Sequence, residues 1–420
     1  MDALSFQERV ANAVVSYPDY LRQMFYPAHL AVLYPYPQGS LGVAEIILAI
    51  LLLWFVSIIF FLWRKRFPFL LVGWFWFLGM LVPMIGIVQV GSQPRADRYT
   101  YLPQIGLYLV IAWSAMELVG RHRRWRTPAA AAALLILTAL IVQARNQASF
   151  WKDSETVWRH AVEVTSYNHI AHSSLGNALL EKSRLDEAIA QYREALAIKS
   201  DLAPVESNLG NALLREGKTD EAIVHFQQAI RIDPKYAEAY NDMGSGLIEK
   251  SQFSEAIGYY QKAVELDPDY PEAHNNLAAA LLETGRIDEA VEHYKKAVAI
   301  RPASAEMQCN LGNAFARKNN WVEAVASYES AVRANPGYAK AHNNLGVARK
   351  AMGNLNEALS EFREAVQINP EYPEAQCNLG SALARLDQRD EAISHLREAL
   401  RLRPDYEEAR RELEKLQSSN

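Results

Sequence analysis

Cysteine is nearly absent, with Cys309 and Cys377 the two in 420 residues. That excludes a disulfide-stapled scaffold and a cysteine-rich metal centre. Positive charge is not in excess either. The net charge is −5, which excludes a generally nucleic-acid-binding composition. The chain has no Asn-X-Ser/Thr sequence, which leans toward a bacterial envelope over an endoplasmic reticulum lumen. No short apolar region follows Met1, as a secretory signal would require. Disorder is excluded, because half of the residues are hydrophobic. The mean hydropathy of −0.13 nevertheless misleads, because it averages two unlike pieces.

The first piece lacks charge over long stretches. Residues 41–63 carry only Glu45, 67–90 carry none, 102–119 only Glu117, and 128–145 end at Arg145. A membrane helix needs about 20 mostly apolar residues, so four spans are expected. The loop after the first holds Arg64, Lys65 and Arg66, and the loop after the third holds Arg121, Arg123, Arg124 and Arg126. The loop after the second has only Arg95 and Arg98, with Asp97 between them. Positive loops stay cytoplasmic, so residues 1–40 and everything after about 146 are expected outside. The expectation is a multi-pass membrane protein with its second piece extracytoplasmic, in a bacterial inner membrane facing the periplasm before an endoplasmic reticulum membrane. Val10, Val14, Tyr17 and Leu21 recur at helical spacing, with Pro18 as a break. Residues 1–40 are therefore read as an amphipathic segment on the outer face.

The second piece repeats every 34 residues. A Leu-Gly pair or near variant starts at 175, 209, 243, 277, 311, 345 and 379. Ala188, Ala222, Ala256, Ala290, Ala324, Ala358 and Ala392 keep the step, and Pro234, Pro268, Pro302, Pro336, Pro370 and Pro404 close six units. Tyr192, Phe226, Tyr260, Tyr294, Tyr328 and Phe362 supply a large residue to fill the space that small ones leave. Two helices per unit follow, ended by a proline that cannot continue them. This unit resembles the tetratricopeptide repeat. Seven units are expected over 169–406, a connector with half a unit over 146–168, and a capping helix over 407–420 with Ala409, Leu413 and Leu416 on one face. The fold class is therefore all-α: a four-helix polytopic membrane segment followed by a tetratricopeptide α-solenoid wound as a superhelix. Residues 1–166 carry net charge +5 and residues 167–420 carry −10. The acidic solenoid argues against nucleic acid as a partner.

Two polar rows accompany the glycines. Two residues before each Gly position stand Ser174, Asn208, Asp242, Asn276, Asn310, Asn344 and Asn378. One residue after it stand Asn177, Asn211, Ser245, Ala279, Asn313, Val347 and Ser381. An Asn amide both donates to and accepts from a peptide backbone, so a ladder of them can hold an extended polypeptide without reading its sequence. Both rows resemble inner-groove positions of tetratricopeptide superhelices, and the first resembles the Asn ladder of O-GlcNAc transferases. Asn177, Asn208, Asn211, Asn276, Asn310, Asn313, Asn344 and Asn378 are thus the expected peptide-binding residues. The neighbours Ser173, Ser207, Asn241, Asn275, Cys309, Asn343 and Cys377 include no base, which argues against a clamp for a C-terminal carboxylate. Cys309 and Cys377 lie two units apart, too far for a disulfide, and read as packing residues. His172, His274 and His342 share one unit position but are too distant for a common metal site, so no metal or cofactor is expected.

The outer loop at 91–103 is chemically dense, with Arg95, Asp97, Arg98, Tyr99 and Tyr101. Arg grips phosphate bidentately, so these five read either as a candidate lipid-phosphate site or as an interfacial loop with an internal Asp–Arg pair and aromatic anchors. The run Ala96-Asp97-Arg98-Tyr99-Thr100-Tyr101-Leu102-Pro103 resembles the last outer loop of the transmembrane-and-TPR protein O-mannosyltransferases, membrane glycosyltransferases of the GT-C class. Glu8-Arg9 through Tyr17 and Ala31 through Pro35 resemble an outer segment just before that family's later spans. The resemblance covers the chain but only the C-terminal half of the family. It implies a role in protein O-glycosylation and a polyprenyl-phosphate sugar as lipid partner. The family's catalytic acidic pair lies in a first outer loop with no counterpart here, so no catalytic residue is assigned. The expected function is a membrane-anchored polypeptide binder serving as the acceptor-binding half of a glycosylation system. The alternatives are an active GT-C glycosyltransferase and an envelope assembly scaffold without glycosylation.

Overall fold

The computed structural model describes residues 6–25, 30, 31, 33, 34, 41–82, 101–121 and 123–418. Every regular element among them is helical. The chain divides into two compact units, residues 1–216 and 217–420.

The first unit opens with α1 (Phe6–Phe25). Pro18 sits inside this helix and does not end it; the missing N–H removes a single intrahelical bond. The buried side of α1 faces residues 74–81. Ala13, Tyr17 and Tyr20 pack on Trp74, Phe77 and Leu81, and the Tyr17 hydroxyl donates to the Leu78 carbonyl at 2.7 Å. Next come α2 (Val43–Leu62), α3 (Pro68–Leu81), α4 (Tyr101–Arg121) and α5 (Arg126–Ser149). Three of them, α2, α4 and α5, are long and apolar enough to cross a membrane. The apolar α3 has 14 residues, and positions 83–90 of the expected second span lie outside the described residues. A Cβ on Gly73 or on Gly106 would overlap the carbonyl oxygen of the other, so α3 and α4 meet backbone to backbone. The buried Trp74 indole donates to Ser57 Oγ at 2.8 Å and ties α3 to α2. No residue of α5 is buried.

A short connector leads into the repeats. Asp153 caps α6 (Ser154–Val164) by accepting from the Thr156 amide at 2.9 Å. Glu155 accepts from Lys182, Arg159 and Arg184 at 2.8, 2.7 and 2.6 Å, and these cations hold its carboxyl down to about 2. The Leu30 carbonyl accepts from Gln147 Nε2 at 3.3 Å and from His160 Nε2 at 3.0 Å. The Leu33 carbonyl accepts from Asn168 Nδ2 at 3.3 Å. Residues 30 and 33 are therefore bonded to the end of α5 and the start of the solenoid. Then follow α7 (His169–Glu181), α8 (Leu185–Ile198) and α9 (Ala203–Arg215).

The second unit continues the array. It starts with α10 (Thr219–Ile232) and runs through the pairs α11 (Ala237–Glu249) and α12 (Phe253–Leu266), α13 (Pro271–Glu283) and α14 (Ile287–Ile300), and α15 (Ala305–Arg317) and α16 (Trp321–Ala334). The last pairs are α17 (Ala339–Ala351) with α18 (Leu355–Ile368) and α19 (Pro373–Arg385) with α20 (Arg389–Leu402), closed by α21 (Glu407–Ser418). The 34-residue period has a packing cause. A Cβ on Gly176, Gly244, Gly312 or Gly346 would lie 2.5–2.6 Å from the ring of Tyr192, Tyr260, Tyr328 or Phe362, sixteen residues on. The glycine makes room for a buried ring, and each such ring contributes roughly 1.5–3 kcal/mol. The turn between the paired helices takes a left-handed residue in every unit. Gly217, Gly285 and Gly353 fill it freely, while Ser183, Ser251, Asn319 and Asp387 hold φ of 58–59° there. In α21, Ala409 is buried with Leu413 and Leu416 against Leu396 and Ala399.

Candidate polypeptide-binding groove

The two asparagine rows prove to be partners. Positions two before, one after and five after the glycine are i, i+3 and i+7 of one helix, so they form one stripe. Each first-row amide donates to an acceptor of the preceding repeat. Asn208 Nδ2 donates to Asn177 Oδ1 at 3.0 Å in the first unit. In the second unit, Asn344 donates to Asn313 at 2.9 Å, while Asn276, Asn310 and Asn378 donate to Asn241, Asn275 and Asn343 at 3.0 Å each. The acceptor stands one residue after the glycine where the residue three before it is Ser173 or Cys309. It stands three before where the residue one after is Ser245, Ala279 or Val347. One asparagine acceptor is thus kept in each of these five repeats, at either of two places on the same helix. Asn241, Asn275 and Asn343 belong to the ladder although sequence reading assigned them no role. The expected binding residues are therefore pinned by the scaffold. An amide nitrogen carries two protons and one is engaged in each bond, so the half-buried side chains are held in fixed orientation. Asn211 carries the same residue type in the second row of its repeat.

The second unit holds a pocket on this stripe. Its volume is about 520 Å³, and it spans α13 to α17. Asn313 and Asn344 line it with Ala279, Leu282 and Val347, and Tyr294, Trp321 and Tyr328 supply aromatic walls. Tyr328 donates its hydroxyl to Asn313 Oδ1 at 2.8 Å. Glu283 and Arg317 also line it, paired at 3.3 Å. Trp321, Glu283 and Arg317 went unnoticed in the sequence, yet Glu283 and Arg317 fall on the i+7 continuation of the first row. Arg317 stands eight residues, about two turns, beyond Cys309, one of the positions that a terminal-carboxylate clamp was expected to use.

The shared histidine position has a structural task. His274 and His342 set Nε2 against the carbonyls of Pro268 and Pro336, each at 3.1 Å, and Gln308 and Gln376 donate to Pro302 and Pro370 at 3.4 and 2.9 Å. The proline that ends each repeat is thereby tied to the next helix. The other end of this side chain meets the second helix. His172 pairs with Gln191 at 2.9 Å, His274 with His293 at 2.9 Å, His342 with Glu361 at 2.7 Å, and Gln376 with His395 at 2.7 Å. His274 gives its proton to Pro268, so a neutral pair requires His293 Nδ1–H to donate to His274 Nδ1. Burial, then the neighbouring His274, pushes His293 down to about 4. Cys309 and Cys377 are buried free thiols in separate clusters, and burial raises both to about 11. Among the described residues no three His, Cys, Asp or Glu side chains converge on a metal site. Arg95, Asp97, Arg98 and Tyr99 lie outside the described residues, and Tyr101 opens α4 with its side chain outside them.

Geometry and period together define the class. Models of the tetratricopeptide repeat match residues 176–217, 210–245, 241–305, 312–353, 348–387 and 373–406, and the chain is a tetratricopeptide-repeat protein. Over the repeat region it is similar to protein O-mannosyl-transferase Tmtc2 of Drosophila melanogaster, 26% identical over 110 residues, covering 26% of this chain and 12% of that protein. It is likewise similar to protein O-mannosyl-transferase TMTC2 of Homo sapiens, 31% identical over 112 residues, covering 26% of this chain and 13% of that one. The match thus spans about an eighth of these relatives' length. Among solved structures, the Cut9–Hcn1 hetero-tetramer of the APC/C shares the fold, with TM-score 0.52, 17% identity, and coverage of 62% of this chain and 52% of that one. YrrB, described as a TPR protein with an unusual peptide-binding site, aligns at TM-score 0.38 and 24% identity over 44% of this chain and 95% of its own.

Proposed function

We propose that this protein is a membrane-anchored receptor whose repeat groove holds extended polypeptide, as the acceptor-binding part of a protein O-glycosylation system. The observation that carries the proposal is the ladder itself. Amides fixed in orientation along one helix stripe suit a repeating backbone, whose N–H and C=O groups recur whatever the side chains. The aromatic pocket between Asn313 and Asn344 offers a place for one large side chain. The likeness to the O-mannosyl-transferases supports the glycosylation context, and over this region it concerns repeats.

Three long apolar helices support the anchor. Leu30 touches both Gln147 and His160, so residue 30 and the start of the solenoid share one side of any membrane. The chain then crosses an even number of times between them. Besides α2, α4 and α5, the uncharged run 67–90, which begins in α3, supplies the fourth crossing. With Arg/Lys-rich loops cytoplasmic, the groove faces outward, in a periplasm before an endoplasmic reticulum lumen. The loop carrying Arg95, Asp97, Arg98, Tyr99 and Tyr101 is proposed, on its sequence alone, to meet a lipid phosphate such as that of a polyprenyl-phosphate sugar.

Ala279 is exposed and lines the pocket, so Ala279→Trp fills the groove while every asparagine of the ladder is kept. In detergent micelles the full-length variant is expected to bind an unfolded polypeptide at least about tenfold more weakly, a loss of about 1.4 kcal/mol. Unchanged affinity would remove the groove from the binding path.

A further inference from the structure

The groove of the second unit is not uniform in charge. The stripe that begins at the asparagine row ends, two turns on, in Glu249 on α11, Glu283 on α13, Arg317 on α15 and Arg385 on α19. Glu283 and Arg317 both line the pocket, which places this row in the groove. At the remaining helix, α17, the cation arrives one position earlier. Lys350 is half-buried, reaches Asn378 Oδ1 at 3.4 Å and lies 5.7 Å from the Phe362 ring centroid. It occupies the repeat position of Leu282 and Ala316, which also line the pocket. Along this row acidic side chains therefore precede the aromatic pocket and basic ones follow it, with Glu408 and Glu412 of α21 acting on Lys350 from beyond the row. Glu283 and Arg317 neutralise each other where the signs change. Among the described residues, Glu249 and Arg385 have no ion-pair partner and remain able to meet a ligand.

We infer that the groove orders its client by charge: it takes an extended polypeptide with a cationic side chain over Glu249, a large apolar one in the pocket, and an anionic one against Lys350 and Arg385. This deepens, and rests on, the reading of the groove as a polypeptide site. The asparagines supply contacts common to every peptide, and the charge order adds selection among peptides. Neighbouring first helices pack about 8–10 Å apart, and an extended chain rises about 3.3 Å per residue. Three repeats from Glu249 to Lys350 thus take about nine residues. Exposed charges of opposite sign attract modestly and are weakened by salt.

The test uses the full chain in detergent micelles and three synthetic twelve-residue peptides. One carries Lys at one end, Phe in the middle and Glu at the other end. The second replaces every charge by Ser, and the third carries the same charges in mixed order. A benzophenone at the acidic end of the first reports its position by cross-linking. Cross-links are expected in residues 339–418, with about fivefold tighter binding than for either control at low salt and equal binding at high salt. In the double variant Glu249→Lys with Arg385→Glu, cross-links are expected to move to residues 237–300. Both positions are exposed, and unchanged thermal melting identifies a folded variant. Equal affinity for all three peptides, or cross-links that ignore the exchange, would overturn the charge order while leaving polypeptide binding intact. Failure of every peptide to bind would overturn the polypeptide reading itself.

Discussion

His274 and His293 show how a buried polar pair is used in this scaffold. Both imidazoles can be neutral only with His274 Nε2–H donating to the Pro268 carbonyl and His293 Nδ1–H donating to His274 Nδ1. A proton added to His293 must enter a half-buried site beside another ring. Its folded pKa is therefore depressed to about 4, below the ordinary value of 6.5, and His274 and His395 shift the same way through burial. The unfolded chain binds more protons between those values, so folding stability is complete above about pH 6.5 and falls as the pH drops toward 4. The urea midpoint of the wild type is expected to fall between pH 7 and pH 5, and that of His293→Gln to fall less. Glutamine already serves at the equivalent Gln191, so the variant keeps the hydrogen bond. Equal slopes for the two proteins would assign the acid sensitivity elsewhere. None of this pairing was legible in the sequence. The histidines were visible there as a shared unit position, but their partners lie nineteen residues on across a helix pair, and the partner type changes from repeat to repeat.

At the scale of helices and turns, most of the fold was legible. Gly312 and Tyr328 recur with their equivalents at a fixed offset because a ring needs the space that a missing Cβ leaves. That constraint writes the period directly into the sequence. The turns were less legible, since Ser251 and Asn319 stand where Gly285 and Gly353 also stand. A left-handed conformation costs an L residue roughly 1–2 kcal/mol, and glycine avoids this at some entropic cost. Ser251→Gly is therefore expected to stabilise the chain by about 0.5–1 kcal/mol in urea denaturation; destabilisation would mean that the serine side chain holds the turn. The packing partner of helix α1 was not legible for a physical reason. An amphipathic stripe of Tyr17 and Tyr20 suits a lipid interface and a protein surface equally, and only the fold brings Phe77 and Leu81 beneath it. The asparagine rows were found, but not their pairing, because the acceptor moves between two positions four residues, about one turn, apart and no single column of the repeat contains it.

In the whole molecule, three helices long and apolar enough to cross a membrane precede the repeat array. The proposed topology has four crossings, which puts residue 30 and the solenoid, joined by the contacts of Leu30 with Gln147 and His160, on one side. A reporter fused after Asn420 is expected to be active only in its extracytoplasmic form, and one in the loop at Lys65 only in its cytoplasmic form. The reverse result would invert the topology. The central claim is that the fixed asparagines hold a polypeptide backbone, and one comparison tests it most directly: the affinity of the full-length wild type for an unfolded polypeptide against that of Asn276→Ala, Asn310→Ala and Asn344→Ala combined. Each lost hydrogen bond is worth about 1 kcal/mol, so the triple variant is expected to bind about a hundredfold more weakly, with a modest drop in melting temperature because the inter-repeat bonds go as well. Wild-type affinity in a folded triple variant would contradict the account and leave the ladder as a strut between repeats.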